Sequence, residues 1–248
     1  MNGHSNLVHP VANYPQKGRN NCLIVGVTLG SVIIILLGLC ITTYFYRSGF
    51  SFGSDSPQTL RADANTLYLA NWSRDLDHWS KGSQESRWEW EKPGIIDTHG
   101  TFSGSPSPLL LAPYQPNSRD IEVDAVIQDH VGFNEFENFG IVTGIDSQGN
   151  GYFSGEDFDR EQFIERLSSG KDLHEMTQNT GGHSVEDTAE KYYLFTVKIQ
   201  GNVITLFIDG WQVSQATLSD YHPDGSIGLY ASGDGEIAVV GFRVEKLP

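Results

Sequence analysis

Tyr193-Leu-Phe-Thr-Val-Lys-Ile-Gln-Gly-Asn-Val-Ile-Thr-Leu-Phe-Ile-Asp-Gly210 is the stretch on which the fold turns. Leu194, Thr196, Lys198 and Gln200 alternate with Phe195, Val197 and Ile199, the period of a strand with one face in a core. Gly201-Asn202 turns the chain into a second strand, Val203 to Ile208. Asp209-Gly210 then forms the favoured type I′ pair, because both central positions need positive φ, and leads into a third strand from Trp211 to Thr217.

The same pattern spreads outward on both sides. Ile121, Val123, Ala125 and Ile127 alternate with Glu122, Asp124, Val126 and Gln128, which predicts one face in the core and one mostly polar face toward water. Phe139 to Ile145 reads as a strand closed against Tyr152 to Ser154 by the turn Asp146-Ser-Gln-Gly-Asn-Gly151, and Ser226 to Ala231 pairs with Glu236 to Leu247 across Gly233-Asp234-Gly235. Arg160 to Leu167 fits a helix face or a strand; the Ser-Ser-Gly-Lys turn after it and the strands around it favour a strand. About a dozen short strands with regular turns predict an all-β, two-sheet antiparallel jelly-roll sandwich over residues 65–248. No internal repeat is visible.

Ahead of that body the composition changes. Cys22 to Tyr46 holds 25 residues with no Asp, Glu, Lys, Arg or His, and 14 of them are Leu, Ile, Val or Phe. As a helix it would run roughly 37 Å, more than the ~30 Å hydrocarbon core. It is too long for the apolar region of a cleaved signal and ends in Tyr44-Phe-Tyr-Arg47 instead of a small-residue cleavage site, so an uncleaved transmembrane helix is expected at 22–46. Lys17 and Arg19 in an acid-free tail, residues 1–21, orient it with the N-terminus in the cytoplasm and the C-terminal domain outside, at the cell (plasma) membrane. A polar linker is expected at 47–64. Gly26 and Gly30, one turn apart, give that helix a small-residue face through which a homodimer could pack.

The anchor reorganises the charge. The chain has 31 acidic and 16 basic side chains, a formal net charge of -15. Two of the bases and none of the acids fall in the tail, so from Arg47 onward the charge is -17. A nucleic-acid partner is therefore not expected. Both cysteines, Cys22 and Cys40, fall in the apolar run, which excludes a disulfide scaffold and a cysteine zinc site in the body.

Several motifs occur in order: Asp75-x-x-x-Trp79, Trp88-x-Trp90 before Gly94, Asp120-Ile-Glu-Val-Asp-Ala-Val-Ile127, Phe139-Gly-Ile-Val, Gly151-Tyr-Phe-Ser, the Tyr193–Gly210 hairpin and Gly225-Ser-Ile-Gly-Leu-Tyr-Ala. Over about 180 residues this resembles the concanavalin A-like lectin/glucanase superfamily, in its laminin G-like and 3-keto-disaccharide-hydrolase-like branches. The resemblance implies a lectin-like sandwich and raises two activities, carbohydrate binding and sugar hydrolysis. The laminarinase-like branch carries E-x-D-x-x-E on one strand. Here Glu122-Val-Asp124-Ala-Val-Ile127 ends in isoleucine, which removes the third acid.

Aromatic side chains are the remaining ligand candidates. Trp88 and Trp90 alternate about Glu89, so both rings would leave one face of a strand, either as a stacking platform for sugar rings or as core. Tyr152 and Trp211 are further candidates, and Glu135 and Glu137 share a face from which they could bond sugar hydroxyls. No metal or cofactor is expected: Gln178 cannot replace the second imidazole in His174-Glu-Met-Thr-Gln178, and the calcium-loop-like run Asp146-x-Gln148-x-Asn150-Gly151 lacks the bidentate Glu and reads as a hairpin turn. Asn71-Trp-Ser73 is a glycosylation sequon. The expected function is a membrane-anchored surface protein binding carbohydrate or another envelope component. A sugar-active hydrolase and a structural or sensory ectodomain are the alternatives.

Overall fold

A computed structural model describes residues 56–81, 88–92, 95–98, 109–129, 136–157, 161–169, 172–176, 191–233 and 237–248. The expected tail, membrane helix and Gly26/Gly30 face lie outside these residues. Among the described residues no helix is long and apolar enough to cross a membrane.

In chain order the strands are β1 (Thr66–Leu69), β2 (Ser80–Lys81), β3 (Trp88–Lys92), β4 (Ile95–Thr98), β5 (Leu109–Leu111), β6 (Asp120–Asp129), β7 (Phe136–Ile145) and β8 (Gly151–Asp157). They continue as β9 (Gln162–Ser168), β10 (Asp172–Glu175), β11 (Tyr192–Gln200), β12 (Val203–Ile208), β13 (Trp211–Thr217), β14 (Ser226–Gly233) and β15 (Ile237–Lys246). A short helix α1 (Trp72–Asp75) and a 3-10 turn (Leu76–His78) separate β1 from β2. One sheet has the order β13-β12-β11-β6-β15-β4-β3 with β1 also on β15, and the other β10-β9-β8-β7-β14-β5-β2. The described residues thus form two antiparallel sheets, as a sandwich requires, and the ambiguous 160–167 stretch contributes the strand β9.

The Tyr193–Gly210 reading holds residue by residue. Phe195 pairs with Ile208, Val197 with Leu206 and Ile199 with Ile204, all at most 1% exposed, so one face of β11 and β12 is continuous core. Asp209 and Gly210 have φ of 49° and 81°, the left-handed pair of the type I′ turn. The Asp209 carboxylate accepts the Leu194 N–H at 2.8 Å, fixing the turn to the far end of β11.

The core between the sheets joins Ile121, Val123, Ala125 and Ile127 of β6 to Phe139 and Ile141 of β7 and to Leu229 and Ala231 of β14. Trp72 and Trp79 belong to it too, with Trp79 edge-on to Phe242 at 5.1 Å and donating through Nε1 to the Tyr68 hydroxyl at 3.1 Å. Burial pushes the Tyr68 phenol up to about 12. A second buried cluster contains Leu109, Val142, Phe153, Phe163, Leu167 and Tyr230. Each of these residues but Leu167 directly precedes or follows a residue of the first cluster on the same strand, and Leu167 lies an even step from Phe163, so the second cluster occupies the opposite face of its sheet.

The expected last hairpin is corrected: β14 and β15 follow one another in the chain but do not pair, β14 joining β7 and β5 in one sheet and β15 joining β6, β4 and β1 in the other. A second correction falls on β6. Its polar face was to be solvent-exposed, yet Asp124 is 1% exposed and Gln128 6%. The Asp124 carboxylate accepts hydrogen bonds from Thr196 Oγ1 at 2.6 Å, Arg243 Nη2 at 2.6 Å and Arg243 Nε at 3.1 Å. Arg243 also pairs with Glu245 at 2.8 Å and donates to the Arg61 carbonyl at 3.1 Å. Leu60 sits against Gly241, where a Cβ would come within 3.1 Å of Leu60 Cδ1. Residues 60 and 61, expected in the linker, thus lie on the outer face of the sheet beside this ion pair. Glu122, Asp124 and Glu245 converge, and Arg243 together with Lys198, 2.8 Å from Glu122, supplies the countercharge.

Removing Arg243 leaves the buried Asp124 carboxyl without its charged partner, a change that costs about 3–5 kcal/mol. Arg243→Ala is expected to lower unfolding stability by that amount in chemical denaturation of the purified chain, and Lys198→Ala, whose side chain is 40% exposed, by well under about 1 kcal/mol.

Candidate functional site

The β7–β8 turn, the end of β9 and the connection from β13 to β14 meet around an open cleft of about 110 Å³. Its lining is Asp146, Asn150, Gly151, Tyr152, Arg166, Asp220 and His222.

Local chemistry places each group. In the β7–β8 turn, Asp146 Oδ1 accepts the N–H groups of Gln148 at 2.8 Å and Asn150 at 2.9 Å, and Oδ2 accepts Asn150 Nδ2 at 2.9 Å. An aspartate bonding its own turn in this way folds it without other partners. Asn150 Oδ1 accepts the Ser169 N–H at 3.2 Å, which ties the turn to the end of β9. Tyr152 and Arg166 pair across β8 and β9, so they leave the same face of the sheet.

Asp220 joins these elements. Its Oδ1 accepts the Tyr152 hydroxyl at 2.6 Å and Ser219 Oγ at 3.0 Å, while Oδ2 forms a short ion pair with Arg166. The pair is reachable from solvent, its side chains being 47% exposed for Arg166 and 41% for Asp220. The hydrogen bond from Tyr152 holds the Asp220 carboxyl below its ordinary value against the opposing effect of burial, with Ser219, Arg166 and His222 adding to it. At Asp146 burial pulls upward, but hydrogen bonds from Asn150 and Gln148 and the nearby His222 bring the carboxyl below its ordinary value as well. Burial, and then the hydrogen bond its hydroxyl donates to Asp220, push the Tyr152 phenol up.

The loop carrying Asp220 and His222 is anchored between them. Tyr221 is 3% exposed and belongs to the core. Its carbonyl accepts Arg119 Nη2 at 3.2 Å. Gly144, at φ 64°, lies under the ring, where a Cβ would come within 2.7 Å of Tyr221 Cε2. Glycine is thus required at 144 twice over, by backbone and by space.

Among the six residues expected to contact a ligand, Tyr152 lines the cleft, through its hydroxyl alone, since the residue is 2% exposed and its ring lies in the core. Trp88 is 0% exposed and has no ring face open to a sugar, so the core reading replaces the stacking platform at this position. Trp211 is half-buried at the head of β13, away from the cleft lining. The side chains of Trp90 and Glu137, and all of Glu135, lie outside the described residues. Asp146 and Asn150 were read as turn residues only, and Arg166, Asp220 and His222 carried no local motif. The one sequence signal near them is the polar run Ser219-Asp220-Tyr221-His222 before Pro223, a long connection between two strands.

Two outcomes test this geometry. Gly144→Ala is expected to cost about 1–2 kcal/mol for the left-handed backbone and a further ~1–3 kcal/mol for crowding the Tyr221 ring, read by denaturation. Because the Asp146 and Asp220 carboxyls are depressed in the folded state, the stability they contribute is complete above the unfolded aspartate value near 3.8 and is lost as pH falls through their lower folded values. Asp220→Asn should therefore shrink the fall in melting temperature below about pH 4, while the wild type shows the larger fall.

No protein-family model and no curated protein matches the sequence. Solved structures do match. The carbohydrate binding module CBM66 from Bacillus subtilis superposes with a TM-score of 0.52 at 15% identity, covering 68% of this chain and 95% of that one. A xylan beta-1,4-xylosidase from Bacillus halodurans C-125 matches with a TM-score of 0.50 at 14% identity, covering 78% of this chain and 41% of that one, so this chain spans less than half of that enzyme. At these identities the likeness is one of fold alone, a two-sheet antiparallel β-sandwich.

Proposed function

We propose that the chain is a single-pass membrane protein whose sandwich lies outside the cell and binds carbohydrate in the cleft formed by Asp146, Asn150, Tyr152, Arg166, Asp220 and His222. The observation that carries this reading is the cleft itself. Two ionised carboxylates, an amide, a guanidinium, a phenol hydroxyl and an imidazole converge on one small open space, and directional hydrogen bonding of that kind is how a protein reads sugar hydroxyls. The likeness of fold to a protein named as a carbohydrate binding module supports it.

The likeness to a xylosidase supports the second reading, hydrolysis. That chemistry needs one carboxyl held protonated near neutral pH as general acid. Both cleft carboxyls are shifted the other way, and the position of the third strand acid is Ile127, 1% exposed in the core. Binding without turnover is therefore the favoured reading. The apolar run 22–46 and the basic tail support the anchor and its orientation.

A glycan array probed with the detergent-solubilised chain is expected to give hits that weaken at least about tenfold in Arg166→Ala, which strips Asp220 of a charged hydrogen-bond partner. An array with no hits sinks the binding reading, and release of reducing sugar from a bound glycan would restore hydrolysis. For the anchor, external protease should remove the C-terminal body from intact cells; a fully shielded body would reverse the orientation.

A further inference from the structure

We infer, resting on the reading of the cleft as a saccharide site, that it selects uncharged sugar residues and rejects those carrying a carboxylate. The ground is a count of what the cleft has left to offer. An ionised aspartate has roughly four acceptor sites, two on each oxygen. Asp146 Oδ1 already accepts two N–H groups and Oδ2 one. Asp220 Oδ1 already accepts two hydroxyls and Oδ2 the Arg166 guanidinium. Among the described residues each carboxylate therefore keeps one acceptor site, on its Oδ2, for a group that can donate.

Sugar hydroxyls donate; a uronate or sialate carboxylate only accepts. The cation that would receive an anionic sugar is Arg166, and it is engaged by Asp220. Asp220 holds one Nη2 N–H of Arg166, so a carboxylate that took the guanidinium's other N–H groups would sit beside the Asp220 charge and meet its repulsion. Two carboxylates against one guanidinium leave the lining at a net negative charge, or neutral when His222 carries a proton; neither state attracts an anion. The charge of -17 from Arg47 onward adds a long-range repulsion of the same sign. Asp146 and Asp220 both have carboxyls held below the ordinary aspartate value by their hydrogen bonds, so at neutral pH the unfilled sites are acceptors.

The inference makes Asp220 a specificity residue as well as a binding one. Asp220→Asn removes the negative charge that engages Arg166 and leaves a guanidinium facing the cleft, which suits a carboxylate.

The test is equilibrium binding of the full chain in detergent to neutral oligosaccharides ending in glucose, galactose, mannose, xylose or fructose. Each hexopyranose terminus is set beside its C6-uronate counterpart, at pH 7.5. The neutral member of the bound pair is expected to bind at least about tenfold more tightly than its uronate. Raising salt from about 0.05 M to about 0.5 M should narrow that ratio by screening the repulsion. In Asp220→Asn the ratio should fall or invert. A wild-type chain that binds the uronate as tightly as the neutral sugar overturns the selectivity and leaves the saccharide reading standing, whereas binding of neither overturns both. If Asp220→Asn does not fold, the wild-type ratio and its salt dependence decide alone.

Discussion

The strand β15 holds the body together, because both of its edges are committed. One edge pairs with β6 along nearly the whole strand; the other pairs with β4 over Ile237 to Val239 and with β1 over Arg243 to Glu245. The first and last strands of the body therefore meet in the middle of one sheet, and that sheet is incomplete until the C-terminal residues are in place. Pairings such as Thr66 with Glu245 close a very long loop, the kind of contact that slows folding because its entropy must be lost before it is rewarded. The buried Asp124–Arg243 pair sits across β6 and β15 and reinforces the same register: a slip of β15 by one residue would carry Arg243 to the apolar face and leave Asp124 buried without it.

The cleft inherits its shape from the core. Tyr221 and Tyr152 have their ring centroids 6.2 Å apart and both are buried, while Asp220 and His222, next to Tyr221 in sequence, and the Tyr152 hydroxyl meet at the opening. Buried rings thus hold Asp220 at the Tyr152 hydroxyl, and Gly144 provides the space that lets one of the rings pack. A site built this way needs no ordering of its loop on binding, which lowers the entropic cost of capturing a ligand.

Local pattern revealed most of the strands and little of the site, and the two have different physical origins. The hairpins from Tyr192 to Thr217 were readable because alternation and a type I′ turn are both short-range. The burial of Asp124 was not, since its partner Arg243 lies 119 residues away and a lone acid on a strand looks the same whether it faces water or a guanidinium. Likewise the cleft draws on residues 146–152, on Arg166 and on 219–222, and only register across β7, β8 and β9 brings them together. Trp88 failed as a stacking residue for a related reason: alternation says that a ring leaves one face, and only packing says whether that face is covered.

The meeting of β1 with β15 has a mechanical side. The Lys246 N–H donates to the Asn65 carbonyl at 2.9 Å, so the segment entering the body and the residues leaving it sit side by side. Tension applied to the chain ahead of residue 60 meets first the Leu60 contact at Gly241 and the Arg243 hydrogen bond to the Arg61 carbonyl, and passes next to the β1–β15 ladder, which also holds β15. A pull strong enough to strip β1 would uncover the edge of β15, loosen the C-terminal end with it and draw Tyr68 off Trp79 and Phe242, so the seam and one corner of the core would yield together.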